Sequence, residues 1–402
     1  MSNGPLEGLR VFFIGSTWAG PMCCSLLSDM GAQIIRQETH SHPDMYRLVQ
    51  SDDRTSVENG PFFQVLNRDQ LSVALNLAEP EARDLAKRII GICDVMVENN
   101  SPRLLKKWEM DYQNVKKINP RIIMVSISGY GQDGPLAEEA SYGTGLIQAS
   151  GLSSLFGYEG QQPLGSISSY PDPVAGLGAF LSIMSALYYR KRTGKGQHID
   201  ISLLEATIAM MGREVTDYTM NERVAGPLGN HSPYVAPHGF YRCKGPDNWI
   251  SISCPTEDEW KAFCLGTGNP QWMDDERFAD NFCRLNNQAE LDELITEWTK
   301  QRTDYDAMEA LQRAGVAAFP VLTMAEMFTD PHVREEEYVT PIPHPNNPAG
   351  FVYNTPWNLS DTPGRPRRHA PLLGEHSEYV LCELCGLAKD EFDRLRAEKI
   401  IS

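Results

Sequence analysis

No run in this 402-residue chain approaches the roughly 18 consecutive apolar residues that a membrane-crossing helix needs, so no membrane partner is expected. Basic charge is also scarce: 36 Lys and Arg stand against 53 Asp and Glu, a net charge of −17. Nucleic acid is excluded as an expected partner on that ground, because binding its phosphates takes a concentrated basic surface. A disulfide framework is lacking too. The nine cysteines are odd in number and mostly scattered through apolar stretches, the pattern of reduced buried thiols. Cys382-Glu383-Leu384-Cys385 is a lone C-x-x-C with no second pair for zinc and no preceding strand for redox work, so it reads as part of a core helix. His40 and His42 have no evident third ligand, and no metal is expected. The opening stretch Met1–Gly8 has no basic region followed by an apolar one, so a secretory signal is not expected and the location reads as cytoplasmic.

What is present is alternation. From Leu9 to Ser128 short β-like runs (Val11–Gly15, Gln33–Glu38, Ser72–Asn76, Val95–Glu98, Ile122–Ser128) are separated by helical stretches at Pro21–Met30, Pro80–Ile92 and Pro102–Lys117. Such alternation encodes βαβ units and a mainly parallel sheet. The length exceeds what one hydrophobic core supports, so more than one unit is expected. The fold class read from this is α/β. A Rossmann-like large domain with a parallel sheet spans 1–224, and a smaller α+β domain spans 225–330, entered through Ala225-Gly226-Pro227-Leu228-Gly229-Asn230. In the last part, 331–402, the Pro-rich stretch from Pro341 to Pro371 reads as an extended crossing segment before terminal helices.

The first strand-to-helix turn, Gly15-Ser16-Thr17-Trp18-Ala19-Gly20-Pro21, stands where a dinucleotide fold carries G-x-G-x-x-G, with Glu38 about 20 residues on where a ribose-binding acid belongs. The glycine spacing fails, so the close pyrophosphate approach of an NAD site is not encoded. Arg36, Arg103, Lys106 and Lys107 are the nearby cations available to a phosphate ligand.

Tyr170-Pro171-Asp172-Pro173 followed by the apolar run Val174–Tyr189 places one carboxylate at a helix mouth. Pro173 suits the first helical position, which leaves Asp172 outside the regular helix as its N-cap. The same carboxylate, kept ionised by the helix dipole, could act as a nucleophile, with Gly176 and Gly178 letting a bulky ligand approach the backbone. Two carboxylate oxygens allow both roles at once. Arg190, Lys191 and Arg192 end the helix, Gly194 breaks it, and His198–Ser202 follows as a strand with Ile199 and Ile201 on one face.

Several segments in order resemble the class III coenzyme A transferases, the formyl-CoA/carnitine-CoA transferase family of the CaiB/BaiF type. They are Leu9-Arg10-Val11 with Ala19-Gly20-Pro21 and Met30-Gly31-Ala32; Leu66-Asn67-Arg68; Asp94-Val95-Met96-Val97-Glu98-Asn99; Ser128-Gly129-Tyr130-Gly131; the Asp172 segment; and Ala236-Pro237-His238-Gly239. The resemblance implies that Asp172 becomes acylated and then carries CoA as a thioester. It implies CoA contacts at Thr17, Trp18, Leu66, Asn67, Asn99, Lys107, Ser128 and Tyr130, with Lys107 equally readable as part of a solvated helix face. It also implies an interlocked homodimer whose C-terminal segment returns to the large domain. Thr39, Gln70 and Ser128 stand where the formyl-CoA enzyme has cationic residues, and Ser16 and Trp18 where it has histidine and glutamine, so formyl specificity is weakened.

The expected reaction moves CoA from an acyl-CoA to a free carboxylic acid through a mixed anhydride and an aspartyl thioester, with backbone N–H groups near Gly129–Gly131 or at Val174 stabilising the oxyanions. CoA is a co-substrate. Trp18, Tyr130, Tyr142 and Tyr170 point to an acid larger than formate, aromatic or branched. Two other readings stay open. One is an α-methylacyl-CoA racemase, whose Gly-His-Asp motif would fall on Ser141-Tyr142-Gly143 and so lose both its histidine and its aspartate. The other is a non-catalytic acyl-CoA-binding protein in which Asp172 only caps its helix.

Overall fold

The computed structural model describes residues 4–48, 57–162, 164–165, 168–347 and 350–401; the start of the N-terminal stretch and positions 348–349 of the Pro-rich segment lie outside these. Two compact units emerge, one of residues 1–152, 166–221 and 331–402, the other of 153–165 and 222–330.

The first unit holds a six-stranded sheet of β1 (Arg10–Ile14), β2 (Gln33–Glu38), β3 (Gln70–Ala74), β4 (Val95–Glu98), β5 (Ile123–Ser128) and β6 (His198–Ser202). The order is β3-β2-β1-β4-β5-β6 and every pairing is parallel. This is the doubly wound arrangement, in which ligands bind outside the carboxyl ends of the strands where the order reverses, here between β1 and β4. Strands β1 to β5 are buried on both faces, so they read as near-continuous apolar runs.

On one face, Val11, Phe13, Val97 and Val125 pack against α1 (Ala19–Asp29) and the long α7 (Pro171–Thr193). Gly176 serves this packing and not a ligand: a Cβ there would meet the Ala19 carbonyl at 2.8 Å and the Met22 Cβ at 2.9 Å, whereas Gly178 faces open space. Helix α7 ends as read, with Gly194 left-handed at φ 74°. On the other face, Phe12, Met96 and Met124 pack against α3 (Pro80–Gly91), with Val380, Leu381 and Phe392 of the C-terminal segment in the same core.

The stretch from Pro102 forms two helices and not one, α4 (Pro102–Lys107) and α5 (Tyr112–Ile118), because Glu109 turns left-handed at φ 55° and Asp111 caps the second with its side chain. Between β2 and β3 lies α2 (Pro61–Leu66), and after β5 come α6 (Gly143–Ala149), α8 (Leu203–Ala209) and α9 (Gly212–Asn221). Edge strand β3 is covered by the chain's last residues: Ser72 carbonyl accepts from the His376 N–H at 2.9 Å, and Asn76 N–H donates to the Ile400 carbonyl at 3.0 Å.

The second unit carries an antiparallel sheet of β7 (His238–Arg242), β8 (Trp249–Ser253) and β9 (Ala317–Pro320), backed by helices including Gln288–Thr299 and Asp304–Arg313. Its core gathers Trp260, Phe263, Phe278 and Leu291.

Candidate active site

Asp172 lies inside the first turn of α7, not before it. Pro171 takes the first helical position and Tyr170 the cap, so the sequence expectation of a capping Asp172 and an initiating Pro173 is shifted by two residues. A proline in the first turn needs no intrahelical N–H partner, which lets both prolines enter the helix. The carboxylate accepts the Ser169 hydroxyl at 2.5 Å, and the Ala19 backbone N–H at the start of α1 also bonds to it. Two helix beginnings thus meet at one carboxylate. Burial nevertheless prevails: it pushes the Asp172 carboxyl above its ordinary range, while Ser169 and the Ala19 N–H pull the other way. The two helix starts favour the ionised form and burial opposes it, with burial the larger of the two.

Gly143, the first residue of α6, stands against this carboxylate. A Cβ at 143 would collide with Asp172 Oδ2 and with the Ser169 hydroxyl. Phe62 makes T-shaped contacts with two rings, Trp18 at 5.0 Å and Tyr46 at 4.6 Å between centroids. The Asp172 charge reaches Tyr46, whose phenol is raised by burial first and then by Asp172 and Asp44. Tyr46 is thus near enough to feel the carboxylate, and Phe62 and Trp18 continue the aromatic cluster from it.

At the carboxyl ends of β1, β2 and β4 opens a cavity of about 520 Å³. Gly15 and Ser16 of the first turn line it, with Thr39, Asn100 and Lys107, and Leu77, Leu104 and Trp108 give it an apolar side. The turn is braced from β4. Asn99 Oδ1 accepts the Ser16 N–H at 3.1 Å and its Nδ2 donates to the Ser16 carbonyl at 2.7 Å, while Asn100 Nδ2 donates to the Ile14 carbonyl at 2.9 Å. Thr17 is left-handed at φ 66°, an outlier for a β-branched residue, and its N–H is held by Asp44 Oδ2 at 3.1 Å.

A sequence model of CoA-transferase family III matches residues 6–377. This chain belongs to that family. It is 30% identical over 400 residues to the succinyl-CoA–D-citramalate CoA-transferase of Chloroflexus aurantiacus, covering 99% of this chain and 98% of the relative. It is also 30% identical over 385 residues to the succinate–glutarate CoA-transferase of Agrobacterium fabrum, covering 94% and 96%. A CaiB/BaiF family protein from Brucella suis has a similar crystal structure, with a TM-score of 0.86 at 30% identity over 95% of this chain and 100% of that one.

In this CoA-transferase the residues singled out from sequence divide into groups. Thr17, Trp18 and Asn99 meet at the first turn, and Lys107 stands on the cavity wall. Leu66 and Asn67 are fully buried; Asn67 accepts Arg36 Nη1 at 2.6 Å and donates to the Phe63 carbonyl at 3.0 Å, so its side chain is engaged within the fold. The Ser128 hydroxyl ends β5 buried and without a hydrogen-bond partner among the described residues. Tyr130 packs partly buried against the α1 and α7 core, and Tyr142 and Tyr170 are exposed.

Arg36 is not a phosphate ligand in waiting. It is 1% exposed and spent on Asp44 at 2.5 Å and on Asn67, and it packs over the Phe13 and Phe63 rings. Glu38 is likewise consumed, by Arg47 at 2.7 Å and the Ser72 hydroxyl at 2.7 Å, and cannot hold a ribose. Arg103 is exposed and paired with Glu138. The Val174 N–H donates to the Tyr170 carbonyl at 3.3 Å and so is not a free oxyanion donor.

Sequence reasoning missed Ser169, Tyr46, Phe62 and the role of Gly143. Ser169 at three residues before Asp172 was the one local signal available; the others arrive from distant segments.

Proposed function

We propose that this family III enzyme transfers CoA from an acyl-CoA thioester to a free carboxylic acid with Asp172 as the nucleophile. An Asp172 oxygen attacks the thioester carbonyl, the carbon–sulfur bond breaks, and CoA leaves as thiolate from a mixed anhydride. The thiolate then attacks the Asp172 carboxyl carbon, the anhydride carbon–oxygen bond breaks, and the donor acid departs, leaving an aspartyl-CoA thioester. The acceptor carboxylate reverses both steps and frees Asp172. Covalent catalysis of this kind splits one difficult exchange into easier ones.

The observation that carries the reading is the setting of Asp172: a mostly buried carboxylate, fixed by Ser169 and the Ala19 N–H, with Gly143 keeping the space before it clear. The same observation disfavours a racemase. An aspartate at 143 would need the volume that the Asp172 carboxylate and Ser169 already fill, and position 142 holds tyrosine where that chemistry needs histidine.

The cavity at the switch point, with its apolar side and Lys107, supports a seat for the CoA nucleotide. From there the first turn leads within three residues to Ala19, so the thiol arm has a short path to Asp172. Relatives named for succinyl-CoA, citramalate and glutarate make succinyl-CoA the donor to try first, and the Trp18, Phe62 and Tyr46 cluster favours an acceptor larger than formate. The proposed assembly is an interlocked homodimer, supported by exposed apolar side chains on α7 to α9 such as Leu181, Tyr218 and Met220; light scattering tests it.

The deciding experiment offers succinyl-CoA and a panel of acids while peptides are weighed by mass spectrometry. Wild type should carry a CoA adduct on Asp172 during turnover; Asp172→Ala should lose exchange and the adduct while still binding CoA. Product formation with no adduct ever on residue 172 would overturn the mechanism. Best acceptance of formate or oxalate would overturn the acceptor class.

A further inference from the structure

The walls of the switch-point cavity hold more unspent positive charge than the sequence motifs indicate. Two carboxylates line it, Glu38 and Asp44, and both are consumed by Arg47 and Arg36. Arg36 is thereby neutralised as well. Two cations remain, Lys107 at the end of α4 and Arg83 on α3. Lys107 has no ion-pair partner among the described residues. Among the described residues Arg83 donates from Nη1 alone, to the Leu77 carbonyl at 3.0 Å and the Ala78 carbonyl at 2.9 Å, while the acidic side chains of α3 are paired elsewhere: Asp84 with Lys87 and Glu81 with Arg394.

Those two carbonyl bonds matter. They tie the guanidinium to the loop that forms the cavity wall, so one planar donor edge is anchored and Nη2 stays unengaged. A guanidinium fixed in that way offers directed donors to a phosphate at little entropic cost. In a chain of net charge −17, an unspent Arg and Lys on one cavity, beside an apolar side made by Leu77, Leu104 and Trp108, form a local basic patch next to a slot for a base.

We infer that Arg83, acting with Lys107, holds a phosphate group of the coenzyme A nucleotide and sets the enzyme's affinity for acyl-CoA. The inference rests on the reading of this cavity as the CoA seat, and it is independent of which acid is transferred. Arg83 is a binding residue in this account and takes no part in bond making at Asp172.

The test compares Arg83→Ala, Arg83→Lys and Lys107→Ala with wild type, using succinyl-CoA and its 3′-dephospho counterpart as donors at low and high salt. Arg83→Ala should raise KM for succinyl-CoA about tenfold or more with kcat within about twofold, and Arg83→Lys should recover much of the loss. The wild-type KM should rise with salt, and the variant's should rise less steeply, because one screened attraction has gone. If the anion is the ribose phosphate, the penalty vanishes with the dephospho donor; if it is the diphosphate, the penalty persists. An unchanged KM in Arg83→Ala would overturn the inference. So would a raised KM with the wild-type salt dependence, which is the signature of a merely shifted 77–78 loop. The Asp172 adduct should still form in Arg83→Ala at saturating donor, so failure of the nucleophile reading shows separately, as an absent adduct in wild type.

Discussion

Gly143 and Asp172 are made for each other: the carboxylate occupies the volume that any side chain at 143 would claim. Position 143 opens α6 without a left-handed backbone, so alanine suits its conformation and only the space forbids it. Gly143→Ala should therefore fold with near-wild-type thermal stability yet lose about a hundredfold in kcat, the usual result of displacing a reacting group by an ångström. Steady-state kinetics beside a melting curve check this. Full activity in a well-folded Gly143→Ala would show that Asp172 does not react from the position seen.

Ser169 offsets part of the cost that burial puts on ionising Asp172. Only the carboxylate attacks, so the rate should rise with pH through the Asp172 pKa, which burial holds above the ordinary aspartate range. The Ser169 hydroxyl stabilises the ionised form. Removing it in Ser169→Ala raises that pKa further, and the acid limb of kcat/KM should move to higher pH, while Ser169→Thr should leave it nearly in place. A limb unmoved by Ser169→Ala would mean that another group governs the acid side of the profile.

Glu98, at the carboxyl end of β4, is 2% exposed, and burial pushes its carboxyl up to about 7 against the pull of Ser126 and Asn100. The folded chain thus holds this proton more tightly than the unfolded one. The stability gained is full below the usual 4.5 and is lost as pH rises through about 7. Glu98→Gln, which stays neutral, should be more stable than wild type at pH 8 by about 1 kcal/mol or more, with the gap closing toward pH 5. Urea unfolding at several pH values measures it. A gap independent of pH would refute the assignment.

Much of the scaffold was legible in the sequence because strands buried on both faces leave an unmistakable mark. The runs at Gln33–Glu38 and Val95–Glu98 match β2 and β4 residue for residue, and the half-exposed run His198–Ser202 matches β6 through its alternation instead. The stretch from Pro102 to Lys117 misled because its apolar residues keep helical spacing across Glu109, whose left-handed backbone no periodicity reports. Helix α9 left no expectation at all; none of its residues is buried, so no apolar stripe was required of it. At the site, a carboxylate flanked by prolines before an apolar helix was visible, but its place two positions further into the helix was not.

The sequence by itself determined the layering, the doubly wound order's raw material and the candidacy of Asp172, since these follow from local spacing and from proline's fixed geometry. Tertiary structure alone decided which charges stay available. Arg36 and Glu38 looked free until Asp44 and Arg47 were seen to consume them, and Arg47 in turn reaches the Pro371 carbonyl, 324 residues away, at 3.0 Å. Whether a buried charge is spent or poised depends on partners brought together by the fold, and a linear chain holds no record of those distances.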